Sequence, residues 1–245
     1  MRFERRAGSC MRVVISAPRK SGGAYLRCLL SMAYDLKAPP VSAPEPADSS
    51  AIAAWLADLP ASSVSTCDLP LSDLSSPATA ANVSIVGVIR HPFDLFVSNH
   101  EVAQQRAARG RSDDDGDRGW SVLAGEPLES DVTRQYALAE FASEVSAQRE
   151  WRASGSAVLY EGLLDDPAAV LTALASLLGP LSDGQVEHAI ALCPAENVVV
   201  SRPGRGRRMP TLPPGTWRDR LPAPLLTSLQ EAYGDDVAAL GYDAS

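Results

Sequence analysis

Lysine is nearly absent from this chain: of 22 basic residues only Lys20 and Lys37 are lysine, and the rest are arginine. Histidine is as scarce, with three in 245 residues, and the four cysteines, Cys10, Cys28, Cys67 and Cys193, show no paired spacing. These shortages exclude a zinc pattern and speak against a disulfide framework, so the expectation is a metal-free protein with unpaired thiols in a reducing, cytoplasmic compartment. No apolar run approaches the ~20 residues of a membrane span. The basic start MRFERRAGSCMR leads only into the short run Val13–Ile15, too short for a signal sequence. Positive charge is also in deficit. A net charge of −8 excludes non-specific nucleic-acid binding, which needs a basic face to displace phosphate counterions. A few basic side chains can still line one pocket for a small phosphorylated ligand.

What is present is an ordinary globular composition, 45% apolar, enough to bury a core in a single domain spanning 1–245. Residues 1–10 read as a dispensable tail, with Met11 an alternative start. Arg12–Ser16 (RVVIS) predicts a buried strand, Ala17–Gly23 a polar loop, and Leu26, Leu29, Leu30 and Ala33 a helix. Lys37–Ser50 is a Pro/Ala/Ser loop, Ala51–Leu59 a short helix, and Ser62–Thr66 a second strand. Val83–Ile89 is near-continuously apolar, as a central parallel strand should be, and Pro92 opens the helix after it. Arg106–Trp120 is a charged loop, Val132–Arg149 a helix, Ala157–Tyr160 a strand. Helices over Asp166–Leu178, Asp183–Leu192 and Pro222–Leu240 follow, with a basic loop over Arg202–Gly215 between the last two. Strands alternating with helices predict an α/β three-layer fold, a central parallel sheet flanked by helices.

Two segments carry chemistry. The run Ala17-Pro18-Arg19-Lys20-Ser21-Gly22-Gly23-Ala24 joins a strand end to a helix start, where backbone N–H groups and the helix dipole favour an anion. It is either such a cradle or a plain turn. It is not a Walker A loop, because Lys20 precedes Gly22 and no earlier glycine stands before it. The second segment, Arg90-His91-Pro92-Phe93-Asp94 with Ser98 eight residues past Arg90, follows the central strand. An arginine fork there grips phosphate bidentately, or Arg90 pairs locally with Asp94.

Taken in order, these segments resemble the PAPS-dependent sulfotransferases, of the bacterial-type, cytosolic-like, small-molecule kind, where PAPS is 3′-phosphoadenosine 5′-phosphosulfate. The family loop Pro-Lys-Ser-Gly-Thr-Thr-Trp-Leu is matched at Lys20, Ser21, Gly22 and Leu26, with Tyr25 in place of the aromatic that packs on adenine. Arg19 is an insertion, and Gly23 and Ala24 replace the two threonines. The family motif Arg-Asn-Pro-x-Asp followed by serine is matched by Arg90 and Ser98. Tyr160-Glu161 resembles the family's Tyr-Glu-Asp-Leu strand end, with Tyr160 toward adenine and Glu161 structural. Arg202-Pro203-Gly204 and Gly215-Thr216-Trp217-Arg218 resemble the family's C-terminal pieces. The resemblance implies a P-loop-like fold and transfer of a sulfuryl group from PAPS, without metal, to a hydroxyl or amine. It assigns the donor to Lys20, Ser21, Gly22, Gly23, Ala24, Tyr25, Arg90, Ser98, Tyr160, Arg202, Gly204 and Arg205, with Arg207 or Arg208 as alternatives in the same loop.

Lys20 would stabilise charge on the leaving phosphate. The family's base is a histidine in a Thr-His-x-Pro segment, whereas here Thr66-Cys67-Asp68-Leu69-Pro70 supplies Asp68, with His100 in reserve and His91 behind it. The acceptor is expected to be a small molecule, a natural product or a sugar, with no nucleic acid or membrane partner and room for a homodimer. Two rival readings stay open: a P-loop-like kinase, and a degenerate relative that binds a nucleotide or a partner without chemistry.

Overall fold

Four short strands, β1 (Arg12–Ser16), β2 (Ser63–Cys67), β3 (Ser84–Ile89) and β4 (Ala157–Leu159), lie in the order β2-β1-β3-β4, every neighbour parallel. The computed structural model describes residues 11–39, 43–44, 48–108, 120–195 and 212–244. The tail at 1–10, most of the charged loop after Arg106 and most of the basic loop from Arg202 therefore lie outside the described residues.

Alternation along the strands divides the core in two. Val13 and Ile15 of β1, Val64 of β2, Val86 and Val88 of β3, and Val158 of β4 pack against one layer of helices. That layer is α1 (Gly23–Tyr34), α7 (Tyr160–Asp165), α8 (Pro167–Leu178) and α9 (Asp183–Leu192), which contribute Leu26, Leu29, Leu30, Leu163, Leu171, Leu174 and Ala189. Val14 and Ile89 face the other way, onto α2 (Ser49–Ala57), α3 (Leu71–Ala81) and Trp151 of α6 (Phe141–Ser154). Gly87 lets that indole lie on β3, since a Cβ there would sit 2.4 Å from the Trp151 ring. A third cluster joins α4 (Pro92–Ala107), α5 (Asp131–Ala139), α6 and α11 (Ala223–Leu240) through Phe93, Phe96, Tyr136, Phe141, Leu229 and Tyr233. The sheet with helices on both faces is the predicted three-layer α/β arrangement. Arg12, at the start of β1, donates to the carbonyls of Leu56, Ala57 and Ala81, satisfying the last turns of α2 and α3 at once.

The structure corrects the sequence reading at several places: Tyr160, expected to end a strand, instead starts α7, and three further corrections concern helices and cysteines. The helix expected over Val132–Arg149 is two, and Glu140 ends α5 and starts α6. The break lets α5 pack on α11 while α6 runs beneath β3. Helix α3 was not anticipated, because LSDLSSPATAA carries few apolar residues and an internal Pro77. Only its Leu74 and Ala78 are buried, which is the whole of its sequence signal.

The last correction concerns the cysteines: Cys28 of α1 is bonded to Cys193 at the end of α9, with Cα atoms 6.0 Å apart. The partners are 165 residues apart in sequence and meet only because α1 and α9 pack side by side. No local spacing could announce them. Cys67 is a free thiol whose pKa is pushed up to about 12, chiefly by burial.

Candidate functional site

All four strands end at the same edge of the sheet, and each hands the chain to a residue singled out from the sequence or its neighbour. β1 runs into the loop 17–22, β2 into Asp68, β3 into Arg90 and β4 into Tyr160. In an open parallel sheet the crevice beyond the carboxyl ends, where connections leave in opposite directions, is where ligands sit. Here that point lies beside β1, whose neighbours β2 and β3 flank it.

The first loop is bent by two left-handed residues, Lys20 at φ 72° and Gly22 at φ 92°. Lysine rarely adopts that region and is held there by its surroundings. The loop closes on itself where Ser21 donates its N–H to the Pro18 carbonyl at 3.1 Å, and the Ser21 hydroxyl is turned onto the same carbonyl. Gly22 is required twice over, because a Cβ would also lie 2.6 Å from Cδ2 of Tyr160. Helix α1 begins at Gly23 with no side-chain cap, so its first amides face the loop, as an anion site needs. The Lys20 amine is largely buried. Burial, and then the positive charge of Arg90, lower its pKa to about 8.

Arg90 is 1% exposed. Its backbone N–H donates to Gln148 Oε1 at 2.7 Å, and its guanidinium donates to the carbonyls of Lys20 at 2.7 Å and Leu212 at 3.0 Å. The group lies 4.4 Å over the Tyr160 ring. Burial lowers its pKa, opposed by Tyr160, Asp94 and Glu161. The alternative Arg90–Asp94 pair is not the arrangement found for Asp94, which accepts from Gly215 N at 2.7 Å and Trp217 N at 3.0 Å. One turn of chain therefore holds both the first loop and the C-terminal Leu212–Trp217 strip. Among the described residues, Nε of Arg90 and Oγ of Ser98 are buried without a hydrogen-bond partner. Each such group costs about 1–3 kcal/mol left unmet.

The other expected residues fall into two groups. Tyr25 and Tyr160 are 7% and 2% exposed and belong to the core beneath the loop; Tyr160 fills the space under Gly22 and against Arg90. Asp68 stands at the rim, its side chain 48% exposed, with Oδ2 3.6 Å from Nε of Arg19. Its turn is fixed from below. Trp151 Nε1–H donates to Ser16 Oγ at 3.1 Å, Ser16 Oγ–H to the Leu69 carbonyl at 2.5 Å, and Ala17 N–H to the Cys67 carbonyl at 2.9 Å. His100 is turned elsewhere, its Nε2 2.8 Å from the carbonyl of Glu126. Arg202, Gly204, Arg205, Arg207 and Arg208 lie outside the described residues.

Two residues given no part in binding by the sequence, Glu161 and Asp94, complete the frame. Glu161 accepts from His91 N at 3.1 Å and from the Tyr242 hydroxyl at 2.6 Å, which ties the β3 turn to the C-terminal segment. Asp94, considered only as a partner for Arg90, is instead the anchor of the Gly215–Trp217 strip. Among the described residues no group of three or more His, Cys, Asp or Glu side chains could hold a metal ion, and no helix is long and apolar enough to cross a membrane.

No protein-family model and no curated protein matches this chain. Solved structures do. The crystal structure of mouse sulfotransferase SULT7A1 complexed with PAP is 15% identical, with a TM-score of 0.65, covering 96% of this chain and 90% of that one. Retinol dehydratase in complex with androsterone and inactive cofactor PAP is 17% identical, with a TM-score of 0.52 over 92% of this chain and 80% of that one. The same enzyme with retinol and PAP gives 16%, 0.53, 92% and 81%. The chain has the sulfotransferase α/β fold.

Proposed function

We propose that this chain is a PAPS-dependent sulfotransferase, moving a sulfuryl group to a hydroxyl or amine of a small acceptor such as a natural product or a sugar. The observation that carries the reading is that Arg90 Nε and Ser98 Oγ, on the two residues matched to the 3′-phosphate motif, are among the eight buried polar side-chain atoms left without a partner among the described residues. Arg90 follows β3 at the edge where the first loop carries Lys20, and Ser98 stands on α4 two turns beyond it. The residues fit an adenosine bisphosphate: Lys20, Ser21, Gly22, Gly23 and Ala24 for the 5′ side, Arg90 and Ser98 for the 3′-phosphate.

PAPS, when bound, supplies an activated sulfuryl group on a phosphate leaving group. Lys20 holds a positive charge at that end of the loop, where charge on the departing phosphate is stabilised most strongly in a water-poor pocket. Ser21 shapes the loop through the Pro18 carbonyl, and with Gly23 and Ala24 in place of hydroxyl residues the backbone amides take on the anion. Asp68, with Nε of Arg19 3.6 Å from its Oδ2, accepts the proton of the acceptor. Its exposure leaves the exclusion of water to the acceptor itself. A cytoplasmic location loses the support of unpaired thiols, because Cys28 and Cys193 are bonded.

Calorimetric titration with PAP, followed by turnover of PAPS on a panel of hydroxyl and amine acceptors, tests the reading. Binding plus transfer is expected. Binding without transfer on any acceptor would leave a degenerate nucleotide-binding relative, and absence of PAP binding at millimolar concentration would remove the reading altogether.

A further inference from the structure

The residue after Arg90 is a histidine with both ring nitrogens committed. Nδ1 of His91 accepts the N–H of Phe93 at 3.2 Å and so caps α4, while Nε2 lies 3.0 Å from the carbonyl of Asp243. A carbonyl only accepts, so Nε2 carries the proton and Nδ1 carries none. The ring is stacked on Trp217 at 5.1 Å and tilted against Tyr242 at 5.1 Å. Its backbone N–H is held by Glu161, which also receives Tyr242. One neutral imidazole thus joins the start of α4, the C-terminal residues Tyr242 and Asp243, and the strip anchored by Asp94.

We propose that His91 is a positioning residue for the donor site, and that holding Arg90 in its donor-binding place requires the neutral, Nε2-protonated ring. The inference rests on the donor reading above. A protonated ring would put a second N–H against that of Phe93, uncapping α4 directly beside Arg90. The charged and titratable groups that face the ring are Asp94 on α4, Glu161 on α7, Arg218 on α10 (Trp217–Arg220) and Tyr242 in the C-terminal segment. Burial, the largest influence, and Arg218 disfavour the charged ring, whereas the Asp243 carbonyl, Asp94 and Glu161 favour it; the balance lowers the pKa. The unfolded chain then takes up a proton below about pH 6.5 that the folded chain refuses, so the clasp weakens as pH falls through that value.

His91→Asn keeps an acceptor for the Phe93 N–H and cannot titrate. PAP affinity and thermal midpoint would be measured from pH 8 to 5.5 on wild type and variant. The phosphates of PAP take up protons over the same range, so the readout is the difference between the two proteins. Expected is a wild-type loss of affinity greater than that of the variant by up to about tenfold, the most that one proton can give between pH 6.5 and 5.5, and a midpoint falling by about 2 °C or more beyond it. A merely structural histidine would let the midpoints diverge but leave the affinity slopes parallel, which overturns the inference while the donor reading stands. Should PAP fail to bind at pH 8, the donor reading falls and the inference with it. If His91→Asn does not fold, the imidazole ¹⁵N spectrum of the wild type decides. A His91 ring protonated at Nδ1, or titrating at or above the ordinary value, rules the clasp out.

Discussion

The turn after β3 and the turn after β2 flank the same loop and are built to opposite rules. Arg90 is 1% exposed, its fork on two backbone carbonyls, its ring neighbour beneath it and its own amide on Gln148. Asp68 leaves 48% of its side chain to solvent and has Arg19 at 3.6 Å. A charge fixed in advance by buried partners suits a ligand that never changes, since the cost of ordering it is met during folding. A half-exposed carboxylate suits a variable ligand, one that brings its own desolvation when it binds. On the proposed function, the contrast suits the first turn to the donor and the second to the acceptor.

The sharpest way to break that contrast is to remove each charge. Asp68→Asn is expected to lower turnover by a factor on the order of 10²–10⁴, the usual worth of a positioned base, with PAP affinity unchanged by calorimetry. Retained turnover would move the base elsewhere and dissolve the assignment. Arg90→Ala should act the other way round. PAP binding should weaken by about 2 kcal/mol or more, as loss of charged hydrogen bonds requires, and the thermal midpoint should drop because Lys20 and Leu212 lose a buried donor. Arg19→Ala is the control. Its ion pair is about a third exposed on one side and half on the other, so stability should change by less than about 1 kcal/mol.

Arg90 and Asp68 differ in how well they could be read. The strand β3 and its arginine were legible because a near-continuous apolar run ending in Arg-x-Pro states burial, edge and helix start in ten adjacent residues. The same held for β1 and the Lys20 loop. What sequence could not give was any partner distant in the chain: Asp94 with Gly215 and Trp217, Glu161 with Tyr242, and Cys28 with Cys193. Each is a product of packing, and none has a local spacing. Trp151 is the clearest instance. Lying beyond the helix expected over Val132–Arg149, it fills the space over Gly87 and holds Ser16, and through Ser16 the turn that carries Asp68.

Gly22 separates loop shape from loop charge. An alanine there meets both a strained φ of 92° and a contact of 2.6 Å with the Tyr160 ring. Gly22→Ala should weaken PAP about tenfold or more, since backbone strain of this kind costs on the order of 1–3 kcal/mol. In a Tyr160→Ala background the contact is gone and only the strain remains, so the added loss on Gly22→Ala should shrink. An equal loss in both backgrounds would mean that Tyr160 does not shape the loop.

For Lys20 the direction of the effect is more informative than its size. With its pKa lowered to about 8 by burial and by Arg90, the amine of the donor-free protein loses its proton as pH rises through 8. An anionic donor binds the charged form better, so PAP affinity should fall across that range by at most tenfold per pH unit. Folding responds with the opposite sign. Between about pH 8 and the unfolded value near 10.4, the native state binds fewer protons than the unfolded one, and stability rises with pH. The phosphates of PAP are fully ionised above pH 8, which removes them from the comparison. Titrations from pH 7 to 9.5 should therefore show weakening binding in the wild type, uptake of a proton on binding near pH 8, and neither trend in Lys20→Met. Affinity flat to pH 9.5 would place the amine away from the donor and leave the loop's backbone amides to hold the 5′ side alone.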